Sequence, residues 1–323
     1  MTPPSFWNHG HTPPWLLRPV AWLFAEITAR RVAKPGWSAP IPVICCGNAG
    51  AGGAGKTPLA LDLATRLITR GHHPAFLTRG HGGTAKIPLR ADPALHTATE
   101  VGDEALLLAA LAPTFVGANR AASAALAIGQ GADILVMDDG LQNPGLTKTL
   151  SLLVIDGGAG FGNGHVIPAG PNREPPAIAA ARCRAAILIG PDATHAASAL
   201  PPTTAILTAD IVPSTPDLEA LPPRLLAFAG IGRPTKFFET LRTHGHPPLA
   251  EIAFPDHHRY SQTDLATLRT RAAALNASLV TTAKDLVRLP PADRADIHVL
   301  RITLAWANPA GIDALLDEAL TRP

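Results

Sequence analysis

The run Gly50-Ala-Gly-Gly-Ala-Gly55-Lys56-Thr57 matches G-x-x-x-x-G-K-[ST] at every fixed position. It lies between a short apolar segment, residues 41–46, and a stretch of helical period, residues 57–70. This residue set suits an oligophosphate. Gly50, Gly52, Gly53 and Gly55 let backbone N–H groups curl around phosphate oxygens, and the helix start adds partial positive charge. In such a loop Lys56 reaches the β- and γ-phosphates and the Thr57 hydroxyl binds Mg²⁺. The bland alternative is a chance glycine-rich turn in an alanine-rich chain. The flanking strand and helix weigh against it.

A second element supports the loop. Residues 132–140 read as an apolar strand ending in Asp138 and Asp139, followed by Gly140. Next to a phosphate loop such carboxylates hold Mg²⁺, although Asp-Asp-Gly alone is also an ordinary turn. Together the two motifs predict a nucleoside triphosphate site with Mg²⁺.

Further groups could do acid–base or anion chemistry. Asp103 and Glu104 follow Gly102 at a helix start, where acids often only complement the dipole. Residues 254–260 gather Asp256, His257, His258 and Arg259 in one turn, a carboxylate–imidazole arrangement that can raise basicity or be a plain surface cluster. Arg79 ends a strand, the place where α/β sheets keep their ligands. Arg173, in the rigid loop 168–175, has the geometry to clamp phosphate. For both arginines an ordinary surface role is the alternative.

The elements that must position these groups alternate. Strands are expected near 41–46, 75–78, 114–116, 134–137, 152–155 and 186–189, with helices at 57–70, 104–111 and 120–128. That order predicts an α/β fold with a P-loop-type parallel sheet covered by helices on both faces. Residues 193–223 are rich in Pro, Ala and Thr and lose period. A second αβ series follows, with strands at 225–229 and 279–282 and helices at 235–243 and 263–275. The expected division is therefore 1–35, an amphipathic helix; 36–200, the nucleotide-binding domain; and 201–323, a smaller α/β/α domain closing over the nucleotide. In the first segment Leu16, Val20, Leu23 and Ile27 recur at helical spacing beside Trp15, Trp22, Arg18, Arg30, Arg31 and Lys34. This is the pattern of an interfacial helix on an anionic membrane surface, or of a terminal helix docked on its own core.

Composition bounds the rest. The 323 residues are 46% hydrophobic and 16% charged, which excludes a disordered, highly charged chain. A net charge of +2 gives no argument for nucleic acid as a partner. Cys45, Cys46 and Cys183 form no CxxC pair and read as buried thiols of a reducing compartment. No run is long and apolar enough for a membrane span, and no secretory signal is evident.

In combination and order, these motifs resemble the tetraacyldisaccharide 4′-kinase family across almost the whole chain. The resemblance runs through the phosphate loop with Pro58, Arg79-Gly80, Val101–Glu104 and Asp138-Asp-Gly-Leu-Gln142. It continues through Gly162-Asn-Gly164, Pro168–Pro175, Phe228–Pro234, Phe254–Tyr260 and Thr281-Thr282 with Lys284-Asp285. It implies two α/β/α domains with ATP and Mg²⁺ in the cleft between them. The implied reaction is γ-phosphate transfer to the 4′-hydroxyl of a lipid A disaccharide precursor, giving lipid IVA, at the cytoplasmic face of the bacterial inner membrane. The resemblance makes Asp103 the base, with His257 rather than His258 paired to it and Lys56 as the third catalytic residue. It makes Glu104, Asp138 and Asp139 organisers of Mg²⁺ with Thr57, and Arg79, Arg120, Gln142, Asn172 and Arg173 phosphate or substrate contacts. It assigns the N-terminal helix to the membrane and implies no obligate protein partner. Departures from the family pattern fall at His81, Leu141, Asn172 and Ala283. Two other readings remain: a P-loop kinase of another small acceptor, and a membrane-associated switch ATPase. The second often carries a lysine early in the loop, where this chain has Ala51.

Overall fold

The computed structural model describes residues 4–321. Helix α1 (Leu17–Val32) precedes β1 (Val43–Gly47), α2 (Lys56–Thr69), β2 (Pro74–Thr78), β3 (Leu89–Ala91), α3 (Ala98–Val101), α4 (Asp103–Ala109), β4 (Thr114–Val116) and α5 (Arg120–Gly129). There follow β5 (Ile134–Asp138), β6 (Leu150–Asp156), α6 (Pro176–Ala181), β7 (Ala185–Ile189), β8 (Ala205–Pro213), α7 (Thr215–Glu219), β9 (Leu225–Ala229) and α8 (Pro234–Thr243). The chain ends with β10 (Ala250–Ala253), α9 (Gln262–Ala274), β11 (Ser278–Thr282), α10 (Ala283–Leu286), β12 (Ile297–Leu300), β13 (Ile302–Trp306) and α11 (Pro309–Thr321).

Nine strands form one sheet in the order β13-β8-β7-β6-β1-β5-β2-β4-β3, parallel except at its two edges. Its central strands are apolar on both faces, as a sheet covered by helices on each side requires. Ile44 and Cys46 face a layer containing Leu59, Leu63 and Leu67 of α2 and Ile312, Leu315 and Leu316 of α11. Val43 and Cys45 face the opposite layer with Ala124 and Ala127 of α5 and Ala179 and Ala180 of α6. Each fully buried leucine contributes about 1.5–3 kcal/mol. The i, i+4, i+8 leucines of α2 thereby anchor the helix whose first turn carries Lys56 and Thr57.

A second sheet, β10-β9-β11-β12, is parallel throughout. Phe237, Phe238 and Leu241 of α8 cover one face, and Leu265, Leu268 and Ala272 of α9 cover the other.

The expected division at 200/201 differs from these sheets. Strand β8 lies inside the 193–223 stretch that lacks period, yet it belongs to the large sheet, and β13 and α11 return to that sheet as well. The strands of the small sheet occupy only residues 225–300. The reason is exposure: β8 and β13 have few buried residues, so neither shows the apolar run of a central strand.

Helix α1 has two distinct faces. Its small residues Ala21 and Thr28 are buried, and Ala21 packs on Val166 and Ala169 with Leu17 and Ala25. The larger apolar set, Trp15, Leu16, Val20, Trp22, Leu23 and Ile27, faces outward and is at least half exposed. Trp7 lies apart from that face: its indole N–H donates to the Pro168 carbonyl at 3.0 Å. No helix among the described residues is long and apolar enough to cross a membrane. Of the three free cysteines, Cys45 and Cys46 are buried and Cys183 is half-buried, and burial pushes the Cys45 thiol up to about 11.

Candidate active site

The site forms where the central strands of the large sheet end. Gly55 caps α2 with φ +89°, and a Cβ there would come within 2.5 Å of Ile189 Cδ1. Only glycine meets both demands, so the sequence closes the loop tightly onto β7 and aims the first turn of α2 into the site. Gly52 and Gly53 meet no such obstacle and sit at the exposed tip. Lys56 Nζ donates to Asn48 Oδ1 at 3.0 Å and to the Gly52 carbonyl at 3.3 Å, and lies 3.7 Å from Asp139 Oδ1. The lysine is folded back over the loop, held by groups that a phosphate can replace.

Thr57 Oγ1 donates to Asp138 Oδ2 at 2.9 Å, joining the helix start to the end of β5. Asp138 is 4% exposed and its Oδ1 has no hydrogen-bond partner. Burial pushes its carboxyl up to about 6. Asp139, with φ +57°, turns the other way. Burial opposes its ionisation, but the Lys56 ammonium and the Arg173 guanidinium outweigh this and hold its carboxyl below the usual range. Arg173 Nη1 donates to Asp139 Oδ1 at 2.8 Å.

Behind these groups lies a buried polar brace. Gln142 Nε2 donates to the Asn48 carbonyl and to Glu174 Oε1, both at 2.8 Å. Glu174 accepts two bonds from Arg182, at 2.7 and 2.8 Å. Asn172 is fully buried, its Nδ2 donating to the carbonyls of Phe161 and His165. The expected substrate contact of Asn172 is thus corrected: it pins the loop and presents no surface. Arg120 is 3% exposed, donates to the Gly117 carbonyl, and burial lowers its guanidinium to about 10. Arg120 and Gln142 are therefore internal supports, whereas Arg79 is exposed at the end of β2 with no hydrogen bond or ion pair among the described residues.

Across the gap, groups from the two sheets converge on the Asp103 carboxylate. Asp103 opens α4 after Gly102, whose φ of +88° makes the sharp entry. His257 Nδ1 lies 2.9 Å from Asp103 Oδ2, which calls for the Nδ1–H tautomer. Arg288 Nε donates to the same oxygen at 2.7 Å. Glu104 lies 3.7 Å from Lys284 Nζ. His258 is turned away, 3.1 Å from Asp264 Oδ2 and stacked on Phe254. The arrangement thus unites Lys56, Thr57, Asp138, Asp139 and Arg173 on one side, and Asp103 and His257 on the other. Sequence reading missed Arg288, Asn48 and Glu174. Only Arg288 had a local signal, its i, i+3 spacing from Asp285 on one helical turn.

The sequence profile of the family described as tetraacyldisaccharide-1-P 4′-kinase matches residues 13–321. A relative named tetraacyldisaccharide 4′-kinase from Gluconacetobacter diazotrophicus is 56% identical over 100% of this chain and 99% of its own length. Another of that name, from Gluconobacter oxydans, is 48% identical over 98% of this chain and 97% of its own. Among solved structures, the fold is similar to that of LpxK from Aquifex aeolicus, described as an "apo" form in complex with ATP. The TM-score is 0.75 over 94% of this chain and 98% of that one, at 22% identity, a likeness that speaks to the fold.

Proposed function

The chain belongs to the tetraacyldisaccharide-1-P 4′-kinase family, and from that premise we propose that it transfers the γ-phosphoryl group of ATP to the 4′-hydroxyl of a tetraacyldisaccharide 1-phosphate. The observation that carries this reading is the contact of Asp103 with His257 at 2.9 Å, which joins a carboxylate beside the large sheet to an imidazole beside the small one.

Phosphoryl transfer needs charge neutralisation and in-line placement more than covalent chemistry. Lys56 leaves Asn48 and Gly52 to meet the β- and γ-phosphates, and the loop N–H groups take the remaining oxygens. Asp103 accepts the proton as the 4′-oxygen bonds to the γ-phosphorus and the bond to the bridging oxygen breaks, releasing ADP. His257 holds the carboxylate in place. Mg²⁺ fits the donor set: Asp138 carries a buried carboxylate oxygen without a partner, beside the Thr57 hydroxyl, and hard oxygen ligands suit this ion. When bound, it supplies neutralisation of the β- and γ-phosphate charge. Thr57 and Asp138 would hold it with Glu104 near by. Asp139, already paired with Arg173 and Lys56, keeps those two cations aimed at the phosphates.

The acceptor is a lipid, and α1 suits its surroundings. Trp15, Trp22 and their apolar neighbours lie beside Arg18, Arg30, Arg31 and Lys34, a pairing that favours an anionic bilayer surface. The proposed location is the cytoplasmic face of the inner membrane, with the protein held peripherally.

The test is transfer of label from [γ-³²P]ATP to tetraacyldisaccharide 1-phosphate in mixed micelles. Labelled lipid that disappears with Lys56→Ala supports the kinase. ATP hydrolysis without labelled lipid refutes it and favours a switch ATPase or another acceptor.

A further inference from the structure

Arg288 is buried and held by several partners where the two sheets meet. Its side chain is 3% exposed. Nη1 donates to the Gly230 carbonyl at 2.7 Å and to Asp285 Oδ1 at 3.1 Å. Asp285 is itself fully buried and fixed: it accepts from Gly230 N and Tyr260 Oη at 2.9 Å each, and from Thr282 Oγ1 at 2.7 Å. The guanidinium is therefore rigid on the small sheet. Its Nε points across to the large one and meets Asp103 Oδ2 at 2.7 Å, while Nη2 lies 3.3 Å from His257 Nδ1. Asp103 Oδ2 thus receives two bonds, and its Oδ1 accepts none among the described residues.

We propose that Arg288 is a positioning residue for the phosphoryl transfer: it locks one oxygen of Asp103, so that Oδ1 is the atom that takes the proton from the acceptor hydroxyl. The inference rests on the kinase reading above. Its physical basis is geometric. A carboxylate held at one oxygen by a guanidinium and an imidazole loses its rotational freedom, and the remaining lone pairs point along one direction. His257 alone cannot do this, because its side chain is 59% exposed and its own position depends on a loop. Arg288, anchored through Asp285 and Gly230, supplies the fixed point. Two-point contact also makes the alignment conditional on the approach of the two sheets, since Asp103 and Arg288 reside on different ones.

The experiment uses the full chain in the lipid-labelling assay, with Arg288→Ala, Arg288→Lys, Asp103→Asn and the Asp103→Asn, Arg288→Ala double variant. Arg288→Ala lowers kcat about 100-fold with KM for ATP within about threefold, the pattern of an interaction used in the transition state. Arg288→Lys, which keeps the charge but reaches fewer partners, recovers about tenfold of that loss. In the Asp103→Asn background the alanine substitution lowers the residual kcat by less than about threefold, because the group it acts through is already gone. A merely structural arginine predicts the same fold loss in both backgrounds, and that result overturns the proposal. If Arg288→Ala does not fold, Arg288→Lys decides: wild-type kcat in that variant overturns it, and a lowered kcat with unchanged KM supports it. Labelling of lipid by the wild-type chain separates the two readings. Its absence overturns both, whereas its presence with undiminished Arg288→Ala turnover overturns the positioning role alone.

Discussion

Asp138 pairs its proposed role as a Mg²⁺ ligand with a stability penalty, and the two can be measured separately. Its carboxyl is buried, one oxygen has no partner, and burial raises it from 3.8 to about 6. Ionising it in the folded protein is therefore unfavourable by about 3 kcal/mol relative to the unfolded chain. Asp138→Asn removes that charge and keeps an acceptor for Thr57, but it places an amide N–H₂ where Oδ1 now lacks a partner, at about 1 kcal/mol or more. The net gain in metal-free protein at pH 8 is about 1–2 kcal/mol, which corresponds to a Tm higher by roughly 1.5–3 °C. The pH dependence has a definite sign. The native state binds the proton more tightly than the unfolded state, so the penalty on wild type is complete above pH 6 and shrinks as pH falls toward 3.8. Near pH 4.5 about 1 kcal/mol of it remains, matched by the amide, and the two proteins should melt together. The assay is thermal denaturation in EDTA without nucleotide, from pH 4.5 to 8. A Tm difference of constant size across that range, or a variant less stable at pH 8, refutes the reasoning. The same substitution should lower transfer activity by at least about 100-fold, the trade between stability and function expected of a buried, uncompensated acid.

Other outcomes follow from the same contacts. Glu174→Ala strands Gln142 and Arg182 together and should cost about 3 kcal/mol or more, read as a fall in Tm of at least about 4 °C; a smaller fall means the brace is dispensable. Gly55→Ala requires φ +89° from a residue with a Cβ and drives that atom into Ile189, so nucleotide affinity measured by calorimetry should fall at least tenfold, about 1.4 kcal/mol; unchanged affinity would show that the loop reshapes freely. Trp22→Glu places a charge on the outward face of α1 without touching the buried Ala21 side, and should reduce flotation with anionic vesicles several-fold while Tm stays within about 2 °C. Equal flotation would remove α1 from the membrane contact.

How much of this was legible depended on the range of the contacts. Gly55, Lys56 and Thr57 could be found because a phosphate loop fixes its residues at short, constant spacing, and Asp138 because an apolar strand announces its own end. The partner of Asp103 was found only through the order of motifs along the chain, since 154 positions separate it from His257. Arg288 lies 185 positions from Asp103 and sits in no phosphate-binding pattern, so only its i, i+3 spacing from Asp285 marked it, and nothing local tied it to Asp103. Asn172 misled for the opposite reason: it neighbours Arg173 in a loop that reads as a ligand clamp, yet successive residues there point to opposite sides, one inward to Phe161 and His165, the other to Asp139. Helix α1 showed its period plainly. Periodicity identifies an apolar face but not what covers it, and here alanines make the intramolecular contact while the tryptophans look outward. Strands β8 and β13 were invisible because strands near an open edge bury too little to demand an apolar pattern.

Those two strands have a consequence for how the protein comes to exist. The large sheet is interrupted after β8, and its neighbour β13 arrives only when the whole of residues 214–301 has been made. Until then β8 presents an unpaired edge, and the leucines of α2 lack the cover that Ile312, Leu315 and Leu316 provide. Arg66 and Arg70 likewise await Asp313 and Asp317. During synthesis the small sheet, complete by β12, is free to fold as a local unit while the nucleotide-binding half is still unfinished. The phosphate loop, though encoded early, is among the parts whose support is completed late, and the nascent chain carries an open flank from the making of β8 until β13 arrives.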